Sequence, residues 1–404
     1  MDAIPVLRGK RILLGVSGSI AAYKAADLAS RLTQAGAHVD AILTAAAARF
    51  VTPLTFQSLT GRPANADLWG AEAHVLHVGL AEGADLLLVA PATADVLAKL
   101  AHGLADDLLT VTALAARCPL LVAPAMDAGM FGHPAVQANL AILRARGASV
   151  IGPAEGRMAS GLAGRGRMLE PEEILGFVRR AVGRNGPLSG RRVVVTAGGT
   201  EEPVDPVRVL ANRSSGKQGF ALAQAALDRG ADVTLVAAPC PLPTPAGAVR
   251  IDVGTADEMA RSALEAVAGA DALLMAAAVA DFRPARPAAQ KVKKEAGPPV
   301  LRLERTTDIL SAVAEARAKS GRPTCVVGFA AETDDLVANA RKKLEDKHLS
   351  LVVANDVTRK DSGFGSESNR VTLIDASGTE ELPLLSKAEV AGRILDRVQA
   401  LLAI

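Results

Sequence analysis

Aromatic side chains make up only 2% of this 404-residue chain: one tryptophan, one tyrosine and eight phenylalanines. Stacking platforms for single-stranded nucleic acid draw on more than that. Charge of one sign is scarce as well, because 45 Lys and Arg against 43 Asp and Glu leave a net of +2. No basic excess is available to neutralise a phosphodiester backbone, so nucleic acid is not an expected partner. The local clusters Lys291, Lys293, Lys294 and Arg341, Lys342, Lys343, Lys347 suffice only for a nucleotide. Cysteines are few, odd in number and far apart: Cys118, Cys240 and Cys325. They exclude a disulfide framework and a zinc spacing, and fit a reducing cytoplasm. No apolar run approaches the roughly 20 residues of a bilayer span. The opening "MDAIPVLRGKRILLGVSG" reads as a strand rather than a signal sequence. A cytoplasmic protein with no membrane partner is expected.

What the chain does have is apolar material, at 50% of residues, and a length beyond one ordinary core, so two domains are expected. Both halves open alike. "GKRILLGVSG" and "SGRRVVVTAGG" (189–199) each give a basic start, an apolar strand and a glycine turn. Between them "GRNGPLSG" (183–190) reads as a linker, placing the domains at 1–184 and 190–404. Apolar runs in the first half are Ile12–Val16, His38–Leu43, Leu86–Ala90, Leu120–Ala123 and Ser149–Ile151. Those in the second are Val193–Thr196, Val233–Ala237, Ala272–Ala276, Thr324–Phe329 and Leu349–Ala354. Continuous apolar strands separated by helical segments predict an α/β fold of two doubly wound, Rossmann-like parallel sheets, covered on both faces. Ligands of such sheets gather at the carboxyl ends of the strands, so chemistry is sought just after each run.

In the first half, Gly15, Ser17, Gly18 and Ser19 make a polar turn feeding a helix, which presents N–H groups to an anion. The dinucleotide fingerprint needs G-x-G-x-x-G and an acid closing the second strand. Here the glycine spacing differs and the second strand ends at Thr44, so NAD is disfavoured and a mononucleotide phosphate is compatible. A plain tight turn is the alternative. Two later strands end in Ala-Pro turns, one followed by Thr93 and one by Met126-Asp127. His74 and His77 share a helix face, but no further ligand stands at metal spacing, which leaves a structural or general-base role. The segment "EGRMASGLAGRGRML" (155–169) is too glycine-rich to lie still as helix or strand, and reads as a phosphate cradle, a lid or a linker.

In the second half, "NRSSGKQG" (212–219) precedes a helix but is no Walker A loop, because Gln218 follows its lysine. Ser214, Ser215, Gly216 and Gly219 still offer an anion nest, with an ordinary capped helix start as the alternative.

The motifs "GVSGSIAAYK", "APATAD", "GLADDLLT", "APAM" and "GRGRMLEPEEI" resemble the flavin-dependent cysteine decarboxylase family. "TAGGTEEPVDPVRVLANRSSGKQG", "AAAVADFRP", "KVKK", "VGFAAET" and "VVANDV" are similar to phosphopantothenate–cysteine ligase. Their order and spacing match over nearly the whole chain, which together resembles the bifunctional coenzyme A biosynthesis family. That resemblance implies a flavodoxin-like FMN-binding first domain and a nucleotide-binding second one. FMN would oxidise the cysteinyl thiol of the substrate, and the thioaldehyde so formed loses CO2 readily. The family's histidine stands eight residues before the aspartate of the third apolar run, which is Asp85, and so falls on His77 rather than His74. Gly18, Ser19, Thr44, Thr93, Ala94 and Asp107 match cofactor-binding positions. Asp127 stands where the family commonly has a carboxylate-binding asparagine, and Ser160 where its flap carries a proton-donating cysteine. The flap would hinge on Gly156, Gly161, Gly164 and Gly166, with Arg165 or Arg167 attracting the substrate phosphate.

For the ligase half the resemblance implies that CTP activates 4′-phosphopantothenate as an acyl-cytidylate, which the cysteine amine then attacks. Lys291 matches the catalytic lysine and Asn212 the acyl-intermediate asparagine. Nucleotide-contacting positions fall on Ala277, Asp281, Lys291, Thr307, Asp308, Ile309, Leu310, Phe329, Lys343 and Lys347. Mg2+ would bridge the triphosphate, its protein ligands unassigned. Trimeric flavin domains and dimeric ligase domains imply a homo-oligomer. Two other readings stay open: an active ligase whose first half leaves the enethiol unreduced or only binds FMN, and an FMN-binding regulatory subunit.

Overall fold

Strands made of consecutive Ile, Leu, Val and Ala point alternate side chains at opposite faces, so each face needs its own cover of helices. The computed structural model describes residues 3–69, 75–157, 161, 163–293, 300–332, 335–356 and 365–403, and divides into two units, Met1–Gly183 and Arg184–Ile404.

In the first unit, strands β1 (Arg11–Val16), β2 (His38–Leu43), β3 (Ala64–Asn65), β4 (Leu86–Ala92), β5 (Leu120–Pro124) and β6 (Ser149–Val150) form one parallel sheet. Their order is β3-β2-β1-β4-β5-β6, so the winding reverses between β1 and β4. Ile12, Leu14 and Val16 face one core with Leu28, Leu32, Ile174 and Val178. Leu13, Leu87 and Val89 face the other with Leu97, Leu109 and Leu140. The glycine-rich stretch corrects the sequence expectation: β7 (Ala154–Arg157) and β8 (Ala163–Arg167) pair as an antiparallel hairpin, with Gly156 opposite Gly164. Ladder bonds come from the backbone, so pairing overrides the poor strand propensity of glycine. The helix after it, Pro171–Gly183, begins with Glu172 and Glu173 in its first turn, where carboxylates offset the helix dipole.

In the second unit, β9 (Arg192–Ala197), β10 (Glu201–Pro203), β11 (Val209–Ala211), β12 (Asp232–Ala237), β13 (Val249–Asp252), β14 (Ala272–Met275), β15 (Phe282–Pro284) and β16 (Leu303–Arg305) come first. They are followed by β17 (Cys325–Glu332), β18 (Leu351–Asp356), β19 (Ser368–Asn369), β20 (Val371–Asp375), β21 (Gly378–Glu381) and β22 (Leu385–Ser386). The main sheet has the order β13-β12-β9-β14-β17-β18-β20-β21. It is parallel through β18, and β20 and β21 extend it antiparallel, an addition the sequence reading did not foresee. Three antiparallel ribbons, β10–β11, β15–β16 and β19–β22, lie outside it. The winding reverses between β9 and β14.

The likeness of the two openings is physical as well as textual. In each half an aspartate just before the central strand, Asp85 or Asp271, accepts the N–H of the first strand's first residue, Arg11 or Arg192, at 2.8 Å. Each carboxylate also pairs with the preceding basic residue, Lys10 at 2.9 Å or Arg191 at 3.3 Å. Asp271 has a further partner in Arg322 at 2.9 Å. Burial pushes the Asp271 carboxyl up, but the Arg192 N–H and the guanidinium groups of Arg322 and Arg191 outweigh it and hold it below the usual range. Its stabilising effect is therefore full above the unfolded value of about 3.9 and is lost as pH falls through the lowered folded value. Asp271→Asn is expected to cost about 1–3 kcal/mol at neutral pH and to flatten the acid limb of the stability profile. Urea melts between pH 3 and pH 7 check this, and an unchanged acid limb would refute it.

Close approach requires glycine at several positions, two of which seat the turns beside the sites. A Cβ at Gly18 would lie 2.5 Å from the Ala46 Cβ, and one at Gly219 would lie 2.5 Å from the Ala197 Cβ. The first holds the turn after β1 against the end of β2, and the second seats the helix Lys217–Leu227 on β9.

Candidate functional site

The turn after β1 is tied to the turn after β4 by one buried hydroxyl. Ser17 Oγ donates to the Pro91 carbonyl at 2.7 Å and accepts the Thr93 N–H at 3.0 Å. Thr93 then caps the helix Ala94–His102, accepting the Val96 N–H at 3.5 Å. Thr44, buried at the end of β2, accepts the Ala47 N–H at 3.2 Å. Asp107 makes a capping box with Thr110 at the start of Leu108–Ala115. Gly18, Thr44, Thr93, Ala94 and Asp107 thus stand along the carboxyl edge of the first sheet. Three of their side chains (Thr44, Thr93 and Asp107) are already engaged in shaping the turns.

Beside them is a cavity of about 570 Å³ between the start of Ala22–Gln34, the turn after β5 and the hairpin strand β8. Ser19, Lys24, Asp127, Arg157 and Arg167 line it. Its hairpin wall is fixed by the Met126 N–H, which donates to the Gly166 carbonyl at 3.0 Å. Buried Lys24 donates to Glu170 at 2.7 Å and to the Met168 carbonyl at 3.3 Å, closing the base of the hairpin. Arg167 shares Glu170 at 3.1 Å, while Arg165 lies over the Phe131 ring at 5.6 Å. Asp127 has a structural task, capping Ala128–Gly132 through the Gly129 N–H at 3.0 Å. His77 does not line this cavity. It is the second residue of the helix Leu76–Glu82, which runs back to the amino end of β4, so its first turn lies toward the carboxyl edge. Its Nδ1 is buried without a hydrogen-bond partner among the described residues. Ser160 and His74 lie outside the described residues.

In the second unit a cavity of about 670 Å³ opens at the carboxyl ends of β14 and β17. Ala277, Asp281, Thr307, Asp308, Ile309, Leu310, Phe329, Lys343 and Lys347 all line it, although they come from four separate segments of the chain. Asp308 caps the helix Ile309–Ser320, accepting the Ser311 N–H at 3.0 Å, and also accepts from Lys347 Nζ at 2.6 Å. Burial raises the Asp308 carboxyl, but Lys347 and the Ser311 N–H prevail and keep it below its ordinary value. Lys343 Nζ donates to the Phe329 carbonyl at 2.7 Å. Asn339, Lys342 and Asp346 join the lining; Lys342 belongs to the basic cluster read as able to hold a nucleotide, while sequence reasoning missed Asn339 and Asp346. Helical spacing could have found them, since positions 339, 342, 343, 346 and 347 share one face of Leu336–Asp346 and its cap.

Lys291 and Asn212 are not among the lining residues. Asn212 is adjacent to it, donating from Nδ2 to the Val279 carbonyl at 3.0 Å. Lys291 is exposed, and the next residue is held by the β10–β11 turn: the Val292 N–H donates to Asp205 at 3.2 Å and the Arg208 guanidinium to the Val292 carbonyl at 2.9 Å. In the segment 212–219, Lys217 is occupied by the Gly365 carbonyl at 3.2 Å and by Glu367. Among the described residues no group of three or more His, Cys, Asp or Glu is placed to hold a metal, and no helix is long and apolar enough to cross a membrane.

Residues 6–183 match the Flavoprotein family, and residues 188–402 match the DNA/pantothenate metabolism flavoprotein C-terminal domain. The coenzyme A biosynthesis bifunctional protein CoaBC of Vibrio vulnificus is 45% identical over 400 residues, covering 98% of this chain and 99% of that one. The protein of the same name from Mycobacterium tuberculosis is 47% identical over 407 residues, covering 98% and 97%. A solved C-terminal domain of CoaBC aligns with 54% of this chain and 98% of its own, at 37% identity and a TM-score of 0.46. Two family matches in this order, and relatives of this identity aligned almost end to end, lead to one conclusion: the chain belongs to the family of bifunctional coenzyme A biosynthesis proteins, CoaBC, joining a flavoprotein half to a pantothenate-metabolism half.

Proposed function

We propose that the second half joins 4′-phosphopantothenate to cysteine at the expense of CTP, and that the first half decarboxylates the product to 4′-phosphopantetheine with FMN. The observation that carries this reading is the convergence of Ala277, Asp281, Thr307, Asp308, Phe329, Lys343 and Lys347 on one cavity. Its volume lies in the range of small-molecule sites. Lys343 and Lys347 bring positive charge to the mouth that a triphosphate would enter. Asn212, bonded to the Val279 carbonyl, would hold the acyl group beside it. Charge building on phosphorus and acyl oxygens would draw on Lys291. Mg2+ would arrive with the triphosphate and need only one or two protein carboxylates.

In the first half, the Nδ1 of His77, buried without a partner among the described residues, fits a bound flavin with its substrate, because a buried polar atom without a partner is costly. When bound, FMN supplies the two-electron oxidation of the cysteinyl thiol and the later return of those electrons. His77 holds or moves the proton of the reacting thiol. Ser19 and Arg167 bind phosphate groups at the cavity, and the β7–β8 hairpin excludes water. Ser160, a far weaker acid than a thiol, makes the final protonation the slow event.

Exposed apolar side chains in each half support a homo-oligomer. Val207, Val209, Phe282 and Leu303 on or beside the β10–β11 and β15–β16 ribbons suit pairing of ligase halves, and Ile20, Tyr23, Phe50 and Leu54 suit a trimer of flavin halves. The setting is cytoplasmic.

The test is reconstitution from 4′-phosphopantothenate, cysteine, CTP and Mg2+, with products identified by mass. Phosphopantetheine supports both activities. A product two hydrogens lighter favours decarboxylation without reduction, and accumulated phosphopantothenoylcysteine means a silent first half. No consumption of CTP would sink the ligase assignment. Asp127→Asn gives a second check. Asparagine caps as well as aspartate, so the helix start is kept while a like charge near the substrate carboxylate is removed. The KM for phosphopantothenoylcysteine is expected to fall by about fivefold, the scale of one screened charge contact. Steady-state CO2 release measures it.

A further inference from the structure

The segment Ala277–Asp281 forms one wall of the second cavity, and its backbone is held from several sides. The Ala277 N–H donates to Thr196 Oγ1 at 3.1 Å. The Ala278 N–H donates to the Gly198 carbonyl at 2.8 Å, and the Ala278 carbonyl accepts the Thr200 N–H at 3.3 Å. The Val279 carbonyl accepts from Asn212 Nδ2 at 3.0 Å. The Ala280 N–H donates to Thr200 Oγ1 at 2.9 Å, and the Ala280 carbonyl accepts from Thr306 Oγ1 at 2.6 Å. The Thr306 N–H completes the set at the Asp281 carbonyl, 3.0 Å. Every residue of the wall is thus fixed through its peptide group, and none of these bonds depends on the wall's own side chains.

Thr200 touches this wall twice, through its N–H and its hydroxyl, and is fully buried without lining the cavity. It comes from the turn after β9, so it joins the two strands between which the sheet reverses its winding. Ser17 makes the corresponding clasp between β1 and β4 in the first half. A hydroxyl is suited to the task because it accepts a backbone N–H while remaining small enough for full burial. Ala280 is itself buried, so its N–H has no access to water as a substitute partner.

We propose that Thr200 is a positioning residue for the nucleotide cavity: its hydroxyl fixes the Ala280 peptide, and with it the backbone that CTP meets. This rests on the CTP reading of the cavity. Thr200→Val keeps the shape and removes the acceptor. It is expected to weaken CTP binding by about tenfold, equivalent to about 1.4 kcal/mol, measured by calorimetry on the full chain. The KM for CTP should rise in parallel with kcat changed by less than about threefold, because the wall binds but does not react. Thr200→Ser should restore CTP affinity to within about threefold of wild type, which separates the hydroxyl from general packing. Should Thr200→Val fail to fold, Thr200→Ala removes the same acceptor without the added methyl and should weaken CTP by at least about threefold.

Unchanged CTP affinity in the folded valine variant, or a serine variant as weak as the valine one, overturns the proposal. So does a fall in kcat at constant KM. If Thr200→Ala is the variant used, unchanged affinity there overturns it equally. A wild-type chain that binds no CTP overturns the nucleotide reading and this inference with it. A wild type that binds CTP beside variants that bind equally well overturns the inference alone.

Discussion

His77→Asn is expected to slow decarboxylation of phosphopantothenoylcysteine by about 10²–10⁴-fold, the range for loss of a general acid–base. CTP-dependent ligation should stay within about twofold of wild type, because the two sites belong to separate units with no shared partners among the described residues. His77 stands in the first turn of the helix Leu76–Glu82. The helix end leads directly into the amino end of β4, where the Asp85 N–H meets the Arg11 carbonyl at 2.8 Å. Its beginning therefore lies at the opposite edge of the sheet, the edge that also carries Ser17, Thr93 and Asp107. A histidine kept there only for packing would have both ring nitrogens satisfied or in water. Nδ1 of His77 is neither, being buried without a partner among the described residues. Asparagine keeps a polar group of smaller size but removes the titratable ring. CO2 release in single turnover measures the chemistry, and the visible flavin spectrum shows whether the cofactor is still held. Wild-type CO2 release from a flavin-loaded variant would end the acid–base role.

How much of this could be read before folding depends on what each feature is made of. The central strands were legible because a buried parallel strand is a continuous apolar run, as in "RILLGV" and "RVVVTA". The two-residue strand Ala64–Asn65 is too short to give a pattern. The β7–β8 hairpin escaped because its glycines argue against a strand, while backbone pairing and the Met126–Gly166 bond make it one. The edge strands β20 and β21 carry apolar residues, but nothing in their composition says that they run antiparallel to β18. The second cavity illustrates both sides. Asp308, Phe329 and Lys343 were singled out by motif, and the fold brings them together on one cavity, from a helix cap, a strand and a second helix. Thr196 and Thr200 were passed over as parts of a strand and a turn. Their role lies in hydrogen bonds to residues about 80 positions away, which no local pattern encodes.

Lys291→Gln is expected to cut pyrophosphate release from CTP by about 10²–10³-fold while CTP binding weakens only severalfold. The distinction follows from where the cations are. Lys343 and Lys347 line the cavity and are engaged with the Phe329 carbonyl and with Asp308, so they shape the ground-state site. Lys291 is absent from that lining, exposed, and without a hydrogen bond or ion pair among the described residues. Its neighbour Val292 is nevertheless held at both peptide groups, by Asp205 and by Arg208. Asp205 is fit for this anchoring. The Arg208 guanidinium, then the N–H groups of Val207, Val292 and Arg208, hold its buried carboxyl far below the usual range, so the anchor stays charged under all ordinary conditions. A free ammonium on a segment anchored one residue away can reach charge that appears only as the phosphoryl bond rearranges, and such charge stabilisation acts on kcat rather than on binding. Lys291→Arg keeps the charge but spreads it over a planar fork, so it should recover only part of the rate. Pyrophosphate release with saturating 4′-phosphopantothenate measures the loss, and decarboxylation of supplied phosphopantothenoylcysteine serves as the internal control. If Lys291→Gln instead raised the KM for CTP with kcat intact, Lys291 would belong to the binding wall and another cation would have to meet the transition state.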